Sequence, residues 1–179
     1  MIVKETKLKG CAIIEPTVFE DERGYFLESY NQKAFNQLVG NKVTFVQDNE
    51  SFSSRGVLRG LHFQRGEHAQ AKLVRVIKGR VLDVAVDIRE SSVTYGQYVS
   101  VELTGENKKQ LFVPRGFAHG FVVLSETALF SYKCDNFYNK ASEGGILYSD
   151  YNLNIDWILK NDDLIISEKD KILPTLENL

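Results

Sequence analysis

Short apolar segments recur along this chain, and glycine, asparagine, aspartate or serine separates most of them. The clearest pair is residues 72–78 and 80–88, which meet around Gly79. From 82 to 88 the even-numbered residues are all aliphatic and share one face of an extended strand, whereas Asp83 and Asp87 lie on the other face. Many short segments of this kind are typical of an all-β sandwich or barrel.

The same pattern predicts eight strands, and their number favours one architecture. Eight strands in one domain suit a double-sheet jelly roll, the double-stranded β-helix of cupins, which closes around a cavity for a small ligand. A chain of 179 residues suits a single domain spanning 1–179. The predicted strands cover residues 43–49, 56–64, 72–78, 80–88, 95–103, 110–113, 120–124 and 128–134.

Two short peripheral helices are predicted from their end signals. Residues 32–39 have an asparagine cap at Asn31 and a glycine stop at Gly40. Near the C-terminus, residues 167–170 form a Ser-Glu-Lys-Asp capping box, which predicts a helical turn that ends near Pro174.

Charge and composition exclude several classes of partner. The net charge of −2 provides no basic surface for nucleic acid or an anionic membrane. Cys11 and Cys134 fit neither a disulfide framework nor a zinc site, so we expect two reduced thiols. No segment approaches the roughly 20 apolar residues of a membrane span, and the N-terminus has no apolar run of signal-peptide length. We therefore expect a soluble, cytoplasmic protein.

Histidine is the first place to look for proton chemistry, because its ordinary pKa lies near neutrality. His62 lies in Gly-Val-Leu-Arg-Gly-Leu-His-Phe-Gln (56–64), and His119 lies in Pro-Arg-Gly-Phe-Ala-His-Gly-Phe (114–121). Metal-binding cupins place a second histidine two residues after the first, but here that residue is Gln64. Two lone histidines on different strands fall short of a three-ligand site, so we expect no metal and no cofactor.

The strand that carries His62 does not resemble a pure core strand. Gly60, His62 and Gln64 share a face by the two-residue period, and that face is small or polar. Gln47 and Asn49 share a face of a neighbouring strand. A cavity lined by histidine, lysine, glutamine, asparagine and tyrosine is typical of a ligand site rather than of a core.

Six motifs together resemble the dTDP-4-dehydrorhamnose 3,5-epimerase family. The resemblance runs over roughly residues 10–175, and its strength comes from the number, order and spacing of the motifs. They are the segments 56–64 and 114–121 quoted above, Lys-Leu-Val-Arg-Val (72–76), Asp-Val-Ala-Val-Asp-Ile-Arg (83–89), Arg-Gly-Tyr-Phe-Leu-Glu (23–28) and Ser-Glu-Lys-Asp (167–170).

The resemblance implies a reaction on a nucleotide-linked 4-keto-6-deoxy sugar. It is the inversion of C3 and C5 of dTDP-4-dehydro-6-deoxy-D-glucose to give dTDP-4-dehydro-L-rhamnose. By resemblance, His62 is the base, Tyr132 the acid, and Lys72 the cation near the C4 oxygen. The family's carboxylate partner of the base matches Asp170, although Asp170 also fits the capping box. Asp83 is a rival partner for His62, or it pairs with His119.

The resemblance also implies a set of contacts to the nucleotide sugar and a homodimer. The family exchanges N-terminal strands between subunits, and residues 7–16 could serve that use. Arg59 has the opposite strand parity to His62, so either a bulge at Gly60 or a contribution of Arg59 to the partner's site is expected. The implied contacts are Arg23, Phe26, Glu28, Gln47, Asn49, Arg59, Lys72, His119, Tyr138, Glu143 and Lys169.

Three alternatives stay open from the sequence. A sibling enzyme could act at one carbon only, or on another nucleotide-linked 4-keto sugar, with the same proton machinery. A sugar-nucleotide 3,4-ketoisomerase would carry a second histidine where this chain has Gln64. A non-catalytic cupin could bind a sugar without turning it over, but binding alone would not need His62, Lys72 and Tyr132 together.

Overall fold

The computed structural model describes residues 1–40 and 42–179. Within them lie two α-helices, α1 (Gln32–Val39) and α2 (Glu168–Lys171), and fourteen strands. The strands are β1 Ile2–Glu5, β2 Ala12–Glu15, β3 Val18–Asp21, β4 Gly24–Leu27, β5 Gln47–Ser54, β6 Val57–Gln64, β7 Lys72–Lys78, β8 Arg80–Asp87, β9 Tyr98–Thr104, β10 Gln110–Val113, β11 Phe117–Val123, β12 Thr127–Cys134, β13 Glu143–Gly145 and β14 Ile165–Ile166.

Two six-stranded sheets form the body of the protein. The first sheet has the order β1-β2-β10-β7-β12-β5, and the second has the order β13-β6-β11-β8-β9, with β14 added in parallel to β6. Most strands that are neighbours in a sheet are distant in sequence, as expected when a chain winds repeatedly between two facing sheets. This architecture confirms the predicted cupin-like jelly roll. A separate ribbon, β3–β4, pairs with no other described strand.

Among the described residues, the core has three apolar clusters, one between the sheets and one on the outer face of each sheet. Val74, Val81 and Phe130 belong to an apolar cluster between the sheets. The even-numbered aliphatic residues of β8 face away from that cluster, and Leu82 packs with Trp157 of the C-terminal segment. The C-terminal segment therefore covers the outer face of the second sheet, and this packing also brings α2 to the sheet.

Helix α1 covers part of the outer face of the first sheet. The Asn31 side chain accepts a hydrogen bond from the Ala34 N–H, and Gly40 ends the helix at φ 70°, as predicted. Phe35 is fully buried in a third apolar cluster that includes Phe112. Burial of a side chain of this size stabilises the fold by roughly 1.5–3 kcal/mol.

Several predicted boundaries were wrong, and six strands were missed. The strand predicted at 43–49 begins at Gln47, because Val43 and Phe45 pack beside α1 instead of pairing in a sheet. The strand predicted at 120–124 begins three residues earlier, at Phe117, and the one predicted at 95–103 begins at Tyr98. The missed strands, β1–β4, β13 and β14, contain two to four residues each, too few to show a clear period.

Candidate active site

A cleft between the two sheets contains most of the predicted site residues. It comprises a larger cavity of about 520 Å³ and a smaller cavity of about 290 Å³, and His62, Lys72 and Tyr132 line both. The larger cavity also contains Arg59, His119, Lys169 and Asp170, and the smaller one contains Gln47, Asn49, Tyr138 and Glu143.

His62 and Asp170 form a hydrogen-bonded pair across a sequence separation of 108 residues. The distance from His62 Nε2 to Asp170 Oδ1 is 2.7 Å, and the Gly60 N–H donates to Oδ2 at 3.2 Å. Burial raises the pKa of Asp170, but hydrogen bonds from His62, Gly60 and Ser167 together with the His62 charge outweigh it, so the pKa is lowered overall. An ionised Asp170 holds the proton on Nε2, which leaves Nδ1 as the basic nitrogen.

The capping role of Asp170 does not compete with this pair. Ser167 caps α2 by accepting a hydrogen bond from the backbone N–H of Asp170, at 3.1 Å. The carboxylate is not needed for that cap and points to His62 instead. Only the serine half of the predicted capping box is therefore observed, and the Asp170 side chain pairs with His62.

His119 and Asp83 form a second, buried pair. His119 Nε2 lies 3.0 Å from both carboxylate oxygens of Asp83, which has no exposed surface. Burial raises the pKa of Asp83, and the neighbouring His119 and Lys72 offset this only in part. Asp83 is therefore the partner of His119, and not of His62.

A bulge at Gly60 brings Arg59 and His62 to the same cavity. The pairing of β11 with β6 shifts register between His119 and Phe121, opposite Gly60. Gly60 has φ 123°, and a Cβ there would lie 2.6 Å from the Gly120 Cα, so the bulge requires glycine. The bulge was one of two predicted solutions to the parity conflict, and with it Arg59 lines the larger cavity of its own chain.

Lys72 and Tyr132 lie on neighbouring strands of the first sheet, facing His62 on the second. The Lys72 Nζ is 5.9 Å from the centre of the Tyr132 ring. Burial lowers the pKa of Lys72, although neighbouring Cys134, Asp83 and Glu143 oppose the shift. Burial also raises the pKa of Tyr132, helped by Cys134 and opposed by Arg59, so the phenol keeps its proton at neutral pH.

Hydrogen bonds connect polar residues of β5, β13 and α2 with Tyr138 beside the smaller cavity. Glu143 accepts hydrogen bonds from Lys169 Nζ at 2.6 Å and from the Tyr138 hydroxyl at 3.1 Å. Burial raises the pKa of Glu143, but these two donors and the Lys169 charge lower it overall. Gln47 donates to Asn49 at 3.0 Å and accepts from the Tyr138 N–H at 3.1 Å.

Arg23, Phe26 and Glu28, three of the contacts implied by the resemblance, do not join the cleft of their own chain. Arg23 bonds to Asp21 in the β3–β4 ribbon, Glu28 contacts Asn31, and Phe26 is 68% exposed. None of the three lines either cavity. The ribbon leaves the sheets before β5 begins, and this separates its side chains from His62.

The cleft also contains residues that were not predicted. Ser51 extends the inward face that Gln47 and Asn49 begin on β5, so strand parity could have identified it. Phe130 and Phe121 form an apolar wall, with ring centres 4.2 Å apart. Cys134, with its pKa raised to about 11 by burial, lines the smaller cavity.

Two further observations concern ligands and location. Across residues 1–40 and 42–179, no three histidine, cysteine, aspartate or glutamate side chains cluster as metal ligands would. Neither described helix has the length and hydrophobicity that a membrane-spanning helix needs.

Comparisons with known proteins identify the family. Residues 5–178 match the family model described as dTDP-4-dehydrorhamnose 3,5-epimerase. The chain is 56% identical to the dTDP-4-dehydrorhamnose 3,5-epimerase of Salmonella typhimurium over 177 residues, 99% of this chain and 96% of the relative.

Two solved structures show the same fold. A dTDP-4-dehydrorhamnose 3,5-epimerase from Elizabethkingia anophelis has a TM-score of 0.95 at 62% identity, covering 98% of this chain and 96% of that one. A dTDP-6-deoxy-D-glucose-3,5-epimerase from Legionella pneumophila, in complex with dTDP-4-keto-L-rhamnose, has a TM-score of 0.94 at 49% identity, covering 98% and 92%. The chain therefore belongs to the dTDP-4-dehydrorhamnose 3,5-epimerase family and is a carbohydrate epimerase.

Proposed function

We propose that this protein inverts C3 and C5 of dTDP-4-dehydro-6-deoxy-D-glucose, with His62 as base and Tyr132 as acid. One observation carries the proposal: His62 of the second sheet, paired with Asp170 of α2, faces Tyr132 of the first sheet across a shared cavity. An inversion needs proton removal on one side of the sugar ring and proton return on the other. Groups on opposite sheets meet that requirement.

The first half of the reaction breaks a C–H bond. The C4 ketone acidifies the hydrogens on C3 and C5, and Nδ1 of His62 takes one of them as a proton. The electron pair of that bond forms the enolate, with its negative charge on the C4 oxygen. Asp170 stabilises the resulting imidazolium, and the ammonium of Lys72 stabilises the enolate oxygen.

The second half forms a C–H bond on the opposite face. The Tyr132 hydroxyl gives its proton to the carbon, the C4 ketone reforms, and the phenolate and imidazolium exchange protons with solvent to restore the enzyme. The same pair serves both carbons because both flank C4. His119, held by Asp83 on the cavity wall, supplies a further polar contact to the sugar.

The smaller cavity is proposed to hold the nucleotide side of the substrate. Gln47, Asn49, Tyr138 and Glu143 line it, and Arg59 and Lys169 place cations beside the same cleft, where they would bind the pyrophosphate. The dTDP-4-keto-L-rhamnose bound by the Legionella pneumophila relative supports a ligand of this class.

A homodimer is proposed to complete the site with the β3–β4 ribbon of the second subunit. Phe19, Tyr25 and Phe26 on this ribbon are 56–68% exposed, and an apolar surface of this kind favours a partner. Arg23 and Phe26 would then reach the nucleotide bound by the partner. Exchange of residues 7–16 stays a prediction, since β2 in this chain pairs with its own β10.

Replacing Phe26 by alanine is expected to raise the KM for the nucleotide sugar by roughly tenfold, as loss of an interface anchor does. Tyr151→Ala, at an exposed aromatic outside the ribbon, serves as the control and should leave KM unchanged. Light scattering of both variants measures the oligomeric state. A monomeric wild-type protein with full activity would contradict the shared site.

The reaction itself is tested by incubating the protein with dTDP-4-keto-6-deoxyglucose in heavy water and locating deuterium by NMR. Deuterium at both C3 and C5 supports the proposal. Deuterium at one carbon makes the protein a single-site epimerase. If neither carbon takes up deuterium while dTDP still binds, the protein binds this class of ligand but does not epimerise this substrate.

The pH profile of kcat/KM is expected to have an alkaline limb set by Lys72. Burial lowers the pKa of Lys72 below 10.5, so activity should fall as rising pH removes its charge. In Lys72→Arg the side chain keeps its charge to about pH 12. The alkaline limb should therefore move to higher pH, although kcat/KM itself is lower. Lys78→Arg, an exposed lysine of the same strand, is the control. An unmoved limb in Lys72→Arg would assign it to another group.

A further inference from the structure

Gln64 is a buried residue of β6 whose amide is fully used by the 135–142 loop and by the His68 carbonyl. It lies two residues after His62, lines the smaller cavity and is 8% exposed. Its Oε1 accepts from the Asn139 N–H at 2.6 Å, and its Nε2 donates to the carbonyl oxygens of His68 and Phe137 at 2.7 and 3.1 Å. Both donors and the acceptor of the side chain are therefore engaged within the protein.

The loop that Gln64 holds, residues 135–142, carries Tyr138 and leads directly into Glu143. Phe137 and Tyr138 are 64% and 56% exposed, so apolar burial does little to fix this loop. The Gln64 amide contacts the residues on both sides of Tyr138, at the Phe137 carbonyl and the Asn139 N–H. Gln64 thus holds the backbone on both sides of Tyr138 to β6, while Gln47 accepts from the N–H of Tyr138 itself.

We propose that Gln64 is a positioning residue for nucleotide binding. It acts through the 135–142 loop and does not itself contact the substrate. Gln64 holds Tyr138 beside Gln47 and Glu143 before the substrate arrives. Because the loop is already ordered, binding loses less conformational entropy. The inference rests on the proposed function, in which Tyr138 contacts the nucleotide.

The test is Gln64→Met, which keeps the length and volume of the side chain but removes its hydrogen bonds. Loss of these bonds should raise both the Kd for dTDP and the KM by about tenfold, with kcat within about twofold. The matched control is Gln110→Met. Gln110 is 2% exposed and donates to the Ser29 carbonyl on the outer face of the first sheet, so its loss should not change the Kd.

A double-mutant cycle with Tyr138→Ala separates positioning from a general loss of structure. If Gln64 acts through Tyr138, Gln64→Met should change the Kd by less than about twofold once Tyr138 is gone. Additive losses, or a fall in kcat at unchanged KM, would overturn the proposal. Should Gln64→Met fail to fold, Gln64→Glu keeps the acceptor for Asn139 and loses both donors, and the same outcomes apply.

Failure of this inference can be told from failure of the proposed function. If the wild-type protein binds no dTDP, the proposed function is overturned and the inference falls with it. If the wild type binds dTDP and Gln64→Met binds it equally well, only the positioning role is overturned. Amide hydrogen exchange at residues 137–139 gives an independent readout, since faster exchange is expected in Gln64→Met but not in Gln110→Met.

Discussion

Replacing His62 by alanine is expected to abolish deuterium uptake at C3 and C5 and to lower kcat by roughly 10³-fold, within the range for loss of a general base. The reason is geometric. His62 is the cleft histidine whose Nε2 is held by an ionised carboxylate, so its Nδ1 is the nitrogen available for a C–H proton. His119 does not replace it, because that ring is only 6% exposed and its Nε2 is bonded to the buried Asp83.

The measurement is heavy-water exchange followed by NMR, alongside dTDP binding by calorimetry. Nucleotide affinity should stay within a few fold of the wild-type value, because the imidazole is hydrogen-bonded to Asp170 and not to the groups that we assign to the nucleotide. A His62→Ala protein that exchanges hydrogen at the wild-type rate would show that His62 is not the base.

Replacing Tyr132 by phenylalanine is expected to separate exchange from inversion. Burial raises the pKa of Tyr132, which keeps the phenol protonated and ready to donate. Without that donor, the enolate regains a proton from His62 on the original face, so deuterium enters with retained configuration. Formation of inverted product should fall by roughly 10²–10³-fold.

Tyr30→Phe provides a matched control for this loss of a hydroxyl. The Tyr30 hydroxyl is buried without a hydrogen-bond partner among the described residues, so its removal should leave activity unchanged. Stability should stay the same or rise, because the unpaired hydroxyl costs about 1–3 kcal/mol. Inverted product formed by Tyr132→Phe at the wild-type rate would exclude Tyr132 as the acid.

Local patterns predicted the elements whose signals lie in adjacent residues. The alternation in β8 and the caps of α1 are such signals, and both elements formed nearly as predicted. Residues 43–46 misled the prediction because an apolar segment that packs on a helix has the same composition as a strand. The short strands β13 and β14 exist only because β6 is beside them to pair with.

The same distinction between local patterns and long-range contacts applies to the site residues. His62, Lys72 and Tyr132 share inward strand faces, and parity together with family resemblance was enough to select them. The partner of His62 was undecided between Asp170 and Asp83, since a hydrogen bond across 108 residues leaves no local pattern. Strand parity also could not decide whether Arg59 reaches the cavity, because one bulge at Gly60 reverses the parity of the residues beyond it.

From the sequence alone came the prediction of the jelly roll, the resemblance to the family and, through that resemblance, the base, the acid and the cation proposed for the reaction. The jelly roll follows from the two-residue period of a strand, whereas the family and the three proposed roles follow from the resemblance of the motifs. Only the tertiary structure decided which carboxylate serves which histidine, how Gln64 holds the loop of Tyr138, and that Arg23, Phe26 and Glu28 lie outside the cleft of their own chain. Those outcomes depend on contacts between segments far apart in the chain, and such contacts exist only after the sheets have packed.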